Sequence, residues 1–486
     1  MNKITCDIDI NKTVPFKNNA AFCVGTGRMN LALRHEYHKQ LEKVQKDIGF
    51  SYIRGHGLFC DDMAVYHTRI EDGVEKEEYN FRYIDMVFDV YLSLGLKPFV
   101  EFGFMPEKLA SGDKTVFYWK ANVTPPTDYG KWARLVAASI DHWINRYGRD
   151  EVVTWFFEVW NEPNWRNFWK NTDMDEYFRL YDVTSRAVKS RDERLRVGGP
   201  AIMNSDDERW MRCFLEYCKK NKVPLDFVTR HSYGTKADDN ILKTQEEFLS
   251  EPAQSRAVID SFPEYRGMEL HMTEFNTSYN VHNHIHDSNL NAAYVARLLS
   301  ELGDTCASYS YWTFGDVFEE EGVSFTPFSG CFGLMANGMI PKPTYWAFVF
   351  YKDLYPEAAA KNEHLVATKS GAGDLRGIAW NPDKGNDEKL LRLTVNVKDG
   401  LYFLLVKTVD EICCHPLDVW QNMGSPAYPS KRQMDILSGC SCPRITTKRI
   451  DVKDGPAAFD IDLTSNALCF FELQRVEPEL EGGCIK

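Results

Sequence analysis

The chain has 486 residues, more than one hydrophobic core usually holds, which predicts one large domain and a smaller one. Its 57 Lys and Arg against 70 Asp and Glu give a net charge of −13, which repels nucleic acid and anionic membranes and suits a neutral substrate. With 44% hydrophobic and 26% charged residues it is neither disordered nor fibrous.

The N-terminus, MNKITCDIDINKTVPFKNN, lacks the apolar run of an export signal, and nothing approaches the roughly 18 consecutive apolar residues of a membrane span. Thirteen cysteines, among them Cys413-Cys414 and Cys440-Ser-Cys442, then read as reduced thiols in a cytoplasm. Without a CxxC pair, thiolate-bound zinc is not expected. Eight short apolar or β-branched runs follow in order, at residues 22–25, 51–54, 97–102, 154–160, 196–199, 226–230, 269–273 and 308–312. Between them lie helical stretches with apolar residues three and four apart, such as 36–48 and 128–147. Eight strand–helix units predict an α/β fold, a (β/α)8 TIM barrel, whose functional groups follow the C-terminal ends of the strands. After about residue 353 the pattern becomes alternating strands, LVATKSG, LRGIAWN, KLLRLTVNV, LYFLLVKTV, FDIDL and ALCFFELQRV, divided by Asp, Gly and Pro turns. These predict a β-sandwich, interrupted at 419–437 by a helical excursion.

The run WFFEVWNEPN ends the fourth strand in Asn161-Glu162-Pro163. Crowding by Trp160, Pro163 and Trp165 predicts a desolvated Glu162 that holds a proton near neutral pH, as a general acid must, with Asn161 able to bond a sugar hydroxyl. The bland reading is a glutamate that starts a helix. ELHMTEFN places Glu274 at the end of the seventh strand, and strands four and seven open on one cleft. Such a carboxylate pair retains configuration at a separation of about 5–5.5 Å and inverts it at about 6.5–9.5 Å, a distance no sequence contains. Arg54 and His56, Glu101, His231 and Tyr233, and Trp312 follow other strands, and each by itself can also be structural. Glu158, on the same strand face as Trp160, reads as an interior charge paired with an arginine. His282, His284 and His286 alternate in a loop without the closed geometry of a metal site, and no GxGxxG-to-helix or Walker-type loop occurs, so neither metal nor nucleotide cofactor is expected.

Across nearly the whole chain these motifs resemble glycoside hydrolase family 39, most closely its bacterial β-xylosidases. The likeness runs through CVGTGRMNLAL from Cys23, YIRGHGLFCDDM from Tyr52, KPFVEFGFMPEKLASG from Lys97, VFYWKANVTPP from Val116, FFEVWNEPNW from Phe156, DFVTRHSY from Asp226, LHMTEFNTSY from Leu270, SYWTFGDVFEE from Ser310 and VWQNMGSPAYPS from Val419. The resemblance implies a barrel domain over 15–345 and a sandwich domain from 1–14 and 346–486. It implies a retaining exo-β-D-xylosidase acting on short β-1,4-xylo-oligosaccharides, with Glu162 as acid/base and Glu274 as nucleophile. It nominates Asn161, His56, His231 and Tyr233 for sugar contacts, Glu319 and Glu320 for gripping hydroxyls, and Phe117 with Trp119 for an apolar wall. Glu321 extends the glutamate pair to a triplet and leaves open which carboxylate reaches the sugar. A homo-oligomer, a tetramer among its forms, is also implied, with the 419–437 excursion meeting a neighbour. The competing expectations are another activity of the same family, iduronidase-like or arabinosidase-like, and a non-catalytic carbohydrate-binding protein.

Overall fold

The structure, a computed structural model, describes residues 2–203, 207–236, 241–382 and 387–476. Cys23–Arg28, Tyr52–His56, Lys97–Phe102, Phe156–Val159, Arg196–Ile202, Phe227–Tyr233, Glu269–Asn276 and Ser308–Tyr311 pair in parallel, each with the next, and close into a barrel. Each lies within a few residues of a predicted run, and the (β/α)8 expectation holds. Helices His35–Asp47 and Tyr129–Tyr147 replace the predicted 36–48 and 128–147 almost residue for residue. Asp128 starts the second of these because its carboxylate accepts the free amides of Gly130 and Lys131 at 2.7 and 3.0 Å.

Alternate residues of each strand fill the barrel. At its N-terminal end Phe99 and Phe156 stack at 4.7 Å beside Cys23 and Phe227, an apolar plug. Two residues further along the third and fourth strands come Glu101 and Glu158, both fully buried, so the interior turns from aromatic to charged toward the strand ends.

The two strands that carry the candidate carboxylates depart from the simple pattern. The fourth ends at Val159, because Trp160 and Glu162 have φ of 71° and 45°, in the left-handed region that no strand continues through. The seventh runs three residues past the predicted 273, to Asn276, and carries a bulge: Met272 pairs with Arg230 but Glu274 with His231. Thr273 and Glu274 therefore both point inward, where Thr273 donates to Glu158 at 2.8 Å and Glu274 accepts from Arg54.

The chain divides into two compact units, Asn19–His286 with Leu302–Met339, and Met1–Asn18 with Asp287–Glu301 and Ile340–Lys486. The second unit holds a six-stranded antiparallel sheet in the order Glu357–Lys361, Leu365–Lys369, Leu375–Asn381, Ala467–Arg475, Gly400–Val409, Arg444–Val452. A three-stranded sheet joins Asn2–Ile8, Lys389–Val395 and Ala457–Leu463. One apolar core lies between them, from Ile8, Leu393 and Phe459 to Ala379, Leu404 and Phe471. The last strand of the smaller sheet shows the cause plainly, since Ala457, Phe459, Ile461 and Leu463 are buried and the residues between them exposed. The single excursion expected at 419–437 is two helices, Pro416–Asn422 and Lys431–Cys440. Pro426 and Pro429 separate them, and Ser430 with Gln433 forms a capping box that starts the second.

Candidate active site

The barrel strands end in a cleft of about 830 Å³, lined among others by His56, Asn161, Glu162, Tyr233, Glu274 and Trp312. Glu162 is 4% exposed and Glu274 3%. The amide of Glu162 donates to the Ala201 carbonyl at 3.0 Å, which anchors its left-handed backbone. Its Oε1 lies 2.7 Å from Nδ1 of His231, which is also 3.5 Å from Oε2 of Glu274. Ligating atoms of these three residues fall within 4.8 Å of one another. Among the described residues no other cluster of metal-ligating side chains is as tight.

Arg54 organises the charged layer. Its guanidinium donates to Glu158 at 2.6 Å, Glu274 at 2.5 Å, Asn161 at 2.9 Å and Glu101 at 2.9 Å, with no exposed surface. Glu158 is thus the arginine-paired interior charge that its strand face predicts. His56 reaches Glu101 at 2.7 Å and Glu274 at 3.3 Å, and the Tyr233 hydroxyl donates to Glu274 Oε2 at 2.7 Å. Glu274 therefore sits among three donors, the coordination of an anion, whereas Glu162 has a single imidazole.

The electrostatics separate the two further. Burial first, and then the charge of Glu274, hold the Glu162 carboxyl well above the ordinary carboxylate range, against the pull of Arg54. Burial, with Arg54, His56 and Arg230 adding to it, pushes His231 well below its usual value and keeps that ring neutral. Burial also works against a charged His56, but Glu101 and Glu274 outweigh it and raise that imidazole. Glu320, at the cleft wall, is pushed up to about 8, by burial above all, with His56 opposing and Glu274 and Glu321 adding.

The remaining candidates divide. Phe117 lines the cleft and stacks on Trp119 at 5.2 Å, while Trp312 packs against His56 at 4.6 Å. Trp119 stands behind Phe117, with the Arg28 guanidinium over its ring at 5.4 Å, and lines a smaller pocket beside Cys60 instead. Asn161 commits its oxygen to Arg54, so what it can offer a ligand is its NH2 group. His231 lies beneath the carboxylates and does not line the cleft. Of the glutamate triplet, Glu319 is ion-paired with Arg28 at 3.4 Å and with Arg34, while Glu320 and Glu321 line the cleft. The loop histidines do not gather: His286 is buried between the carbonyls of Gly330 and Ser278, and His282 pairs with Glu321 at 2.9 Å. Phe168 and Phe332, which also line the cleft, escape the strand-end reading, because one lies six residues past Glu162 and the other in the loop after strand eight. An aromatic directly after Trp165-Arg166-Asn167 in a strand-to-helix loop is the sequence signal for Phe168.

Residues 3–457 match the family described as glycosyl hydrolases family 39. The chain is 45% identical to a β-xylosidase of Geobacillus stearothermophilus, over 97% of this chain and 96% of the relative, and 37% identical to a β-xylosidase of Caldicellulosiruptor saccharolyticus, over 86% and 87%. Its backbone superposes on the crystal structure of a monomeric β-xylosidase from Caulobacter crescentus with a TM-score of 0.88, at 31% identity and covering 97% of this chain and all of that one. Among the described residues no helix is long and apolar enough to cross a membrane.

Proposed function

The chain belongs to glycosyl hydrolase family 39, and from that premise we propose that it is a retaining, exo-acting β-D-xylosidase in which Glu162 is the acid/base and Glu274 the nucleophile. The observation that carries the reading is the pairing itself. Ligating oxygens of the two carboxyl groups lie within 4.8 Å, close to the span of about 5–5.5 Å used for double displacement and short of the ~6.5–9.5 Å that leaves room for water.

Glu274 attacks the anomeric carbon and forms a glycosyl ester while Glu162 gives its proton to the departing oxygen. Esterification cancels the charge of Glu274, the second largest cause of the raised Glu162. The pKa of Glu162 therefore falls, so once it has given up its proton it stays ionised and, as a base, deprotonates the water that attacks the anomeric carbon and releases Glu274. His231 at 2.7 Å occupies one oxygen of Glu162 and leaves the other for the leaving group, so it acts as a positioning residue. The aromatic wall of Trp312 and Phe117 beside His56 favours a pocket for one terminal sugar, with Glu320 and the Asn161 amide as hydroxyl partners. A uronate would need a cation, and although Lys236 and Lys243 line the cleft they are ion-paired with Glu247 and Glu251.

The rest of the reading has support of its own. Every residue lining the cleft falls between 56 and 332, which supports catalysis by 15–345 and an accessory role for 1–14 with 346–486. Tyr428, 82% exposed between the excursion helices, favours a homo-oligomer, in which a tetramer is one form. Thirteen cysteines favour a reducing cytoplasm.

A panel of aryl glycosides followed by NMR from the first minutes tests the function. The β-D-xyloside should turn over far faster than the β-D-glucoside, because the extra CH2OH overlaps the pocket wall, and the first product should be β-xylose. Initial α-xylose would overturn the mechanism, and no turnover of any xyloside would overturn the substrate.

A further inference from the structure

Cys413-Cys414 and Cys440-Ser-Cys442 belong to no part of the cleft, and the fold brings the two motifs together at the root of the excursion. Cys414 is 2% exposed and its sulfur touches the Ser441 carbonyl oxygen at 3.1 Å, so it lies against the peptide that joins Ser441 to Cys442. The Trp346 indole donates to the same oxygen at 2.8 Å and holds that peptide in place. The other two sulfurs are turned elsewhere, Cys413 toward the Asp410 carboxylate at 3.1 Å and Cys440 back toward the Leu437 carbonyl at 3.2 Å. Cys442 is exposed, and among the described residues no hydrogen bond holds its sulfur.

We propose that Cys414 and Cys442 are a thiol–disulfide site, oxidised by low-molecular-weight disulfides, that ties the two ends of the helical excursion together. In a planar trans peptide the carbonyl oxygen and the following Cα lie on the same side of the C–N bond, so the Cys442 Cα is a near neighbour of the Cys414 sulfur, and the exposed Cys442 side chain is the one left to turn toward it. The exposed Cys442 thiolate attacks a disulfide RSSR, forming Cys442–S–SR and releasing one RSH. The Cys414 thiol then loses its proton to water and attacks the Cys442 sulfur, expelling the second RSH. Two protein thiols are oxidised and one RSSR is reduced to two RSH. Burial holds the Cys414 thiol well up, so this second step is the slower one. The bond would join residue 414, just before helix Pro416–Asn422, to residue 442, just after helix Lys431–Cys440. Both helices would then lie inside one closed covalent loop, which restrains the unfolded segment.

The test treats the full-length protein with oxidised glutathione, blocks remaining thiols with an alkylating agent, and maps the peptides without reduction. The expected result is a cross-link between the peptides carrying Cys414 and Cys442, with the loss of two titratable thiols and their return on adding dithiothreitol. Cys440→Ser should leave the cross-link intact, and Cys414→Ser should stop at a glutathione adduct on Cys442. A lasting adduct in the wild type, a cross-link through Cys413 or Cys440, or unreacted thiols would overturn the proposal.

Discussion

Glu162 and Glu274 are the same residue type at the mouth of the same barrel, and their neighbours alone differentiate them. Arg54, His56 and Tyr233 all donate to Glu274, and removing a donor to a charged group costs about 1.5–3 kcal/mol. Glu162 has only the neutral His231 and lies near the negative charge of Glu274, so burial leaves it protonated. The proposed roles make opposite predictions for two substitutions. Glu274→Gly should abolish turnover of every substrate, while Glu162→Ala should fail on xylobiose yet still be glycosylated by an aryl xyloside whose leaving group needs no proton. Added azide should give the β-xylosyl azide with Glu162→Ala and the α-anomer with Glu274→Gly, and swapped anomers would reverse the assignment. In the wild type the protonated acid is the active form, so kcat/KM should fall as pH rises through the raised Glu162 value. That alkaline limb should be present in the wild type on xylobiose and missing on the aryl xyloside whose leaving group needs no proton, and an equal limb on both would point to another group.

The strands convert these residues into a site, and their irregularities matter as much as their regular parts. The bulge at Thr273 turns two successive side chains into the barrel, one to Glu158 and one to Arg54. Strict alternation would send Glu274 outward if Thr273 pointed in. Strands one and eight meet where Gly25 faces Trp312, and a Cβ at Gly25 would overlap the indole ring and crowd the Tyr311 carbonyl. Gly25→Ala must therefore displace Trp312 or the strand. We expect it to cost about 1–3 kcal/mol of stability, the range for overpacking a filled interior. It should also raise KM for xylosides more than it lowers kcat, because Trp312 walls the cleft while the carboxylates keep their donors. Thermal unfolding and steady-state kinetics on one preparation measure both, and an unchanged KM would remove Trp312 from the sugar-binding wall.

At the scale of the molecule, the exposed Tyr428 and the helices on either side of it form the surface on which the proposed oligomer depends. Light scattering should give a multiple of 56.1 kDa, and Tyr428→Asp should lower that mass; a 56.1 kDa wild type would end the idea. The barrel was legible because a parallel strand buried on both faces must be a short apolar run, and eight such runs alternate with amphipathic stretches. The sandwich was partly legible for a similar reason: strands such as Ala457–Leu463 alternate perfectly, whereas Arg444–Val452 is exposed at seven of its nine positions and half-buried at an eighth, and carries no alternation to read. Local sequence also placed Glu162 and Glu274 at strand ends, since chain order and hydrophobic period are enough to count strands. It did not distinguish Glu319 from Glu320, neighbours of identical chemistry whose difference is that Arg28 and Arg34 lie beside one of them. Nor did it contain the gathering of Glu162, His231 and Glu274 to within 4.8 Å of one another, or the bulge that brings Glu274 inward. Period and composition are properties of neighbouring residues and act over a few ångströms of chain, so the sequence alone determined the elements and their order. Which charge meets which is decided by contacts between residues far apart in the chain, such as His56 with Glu101, 45 positions away, and Arg54 with Glu274, 220 away, and those exist only once the barrel has closed.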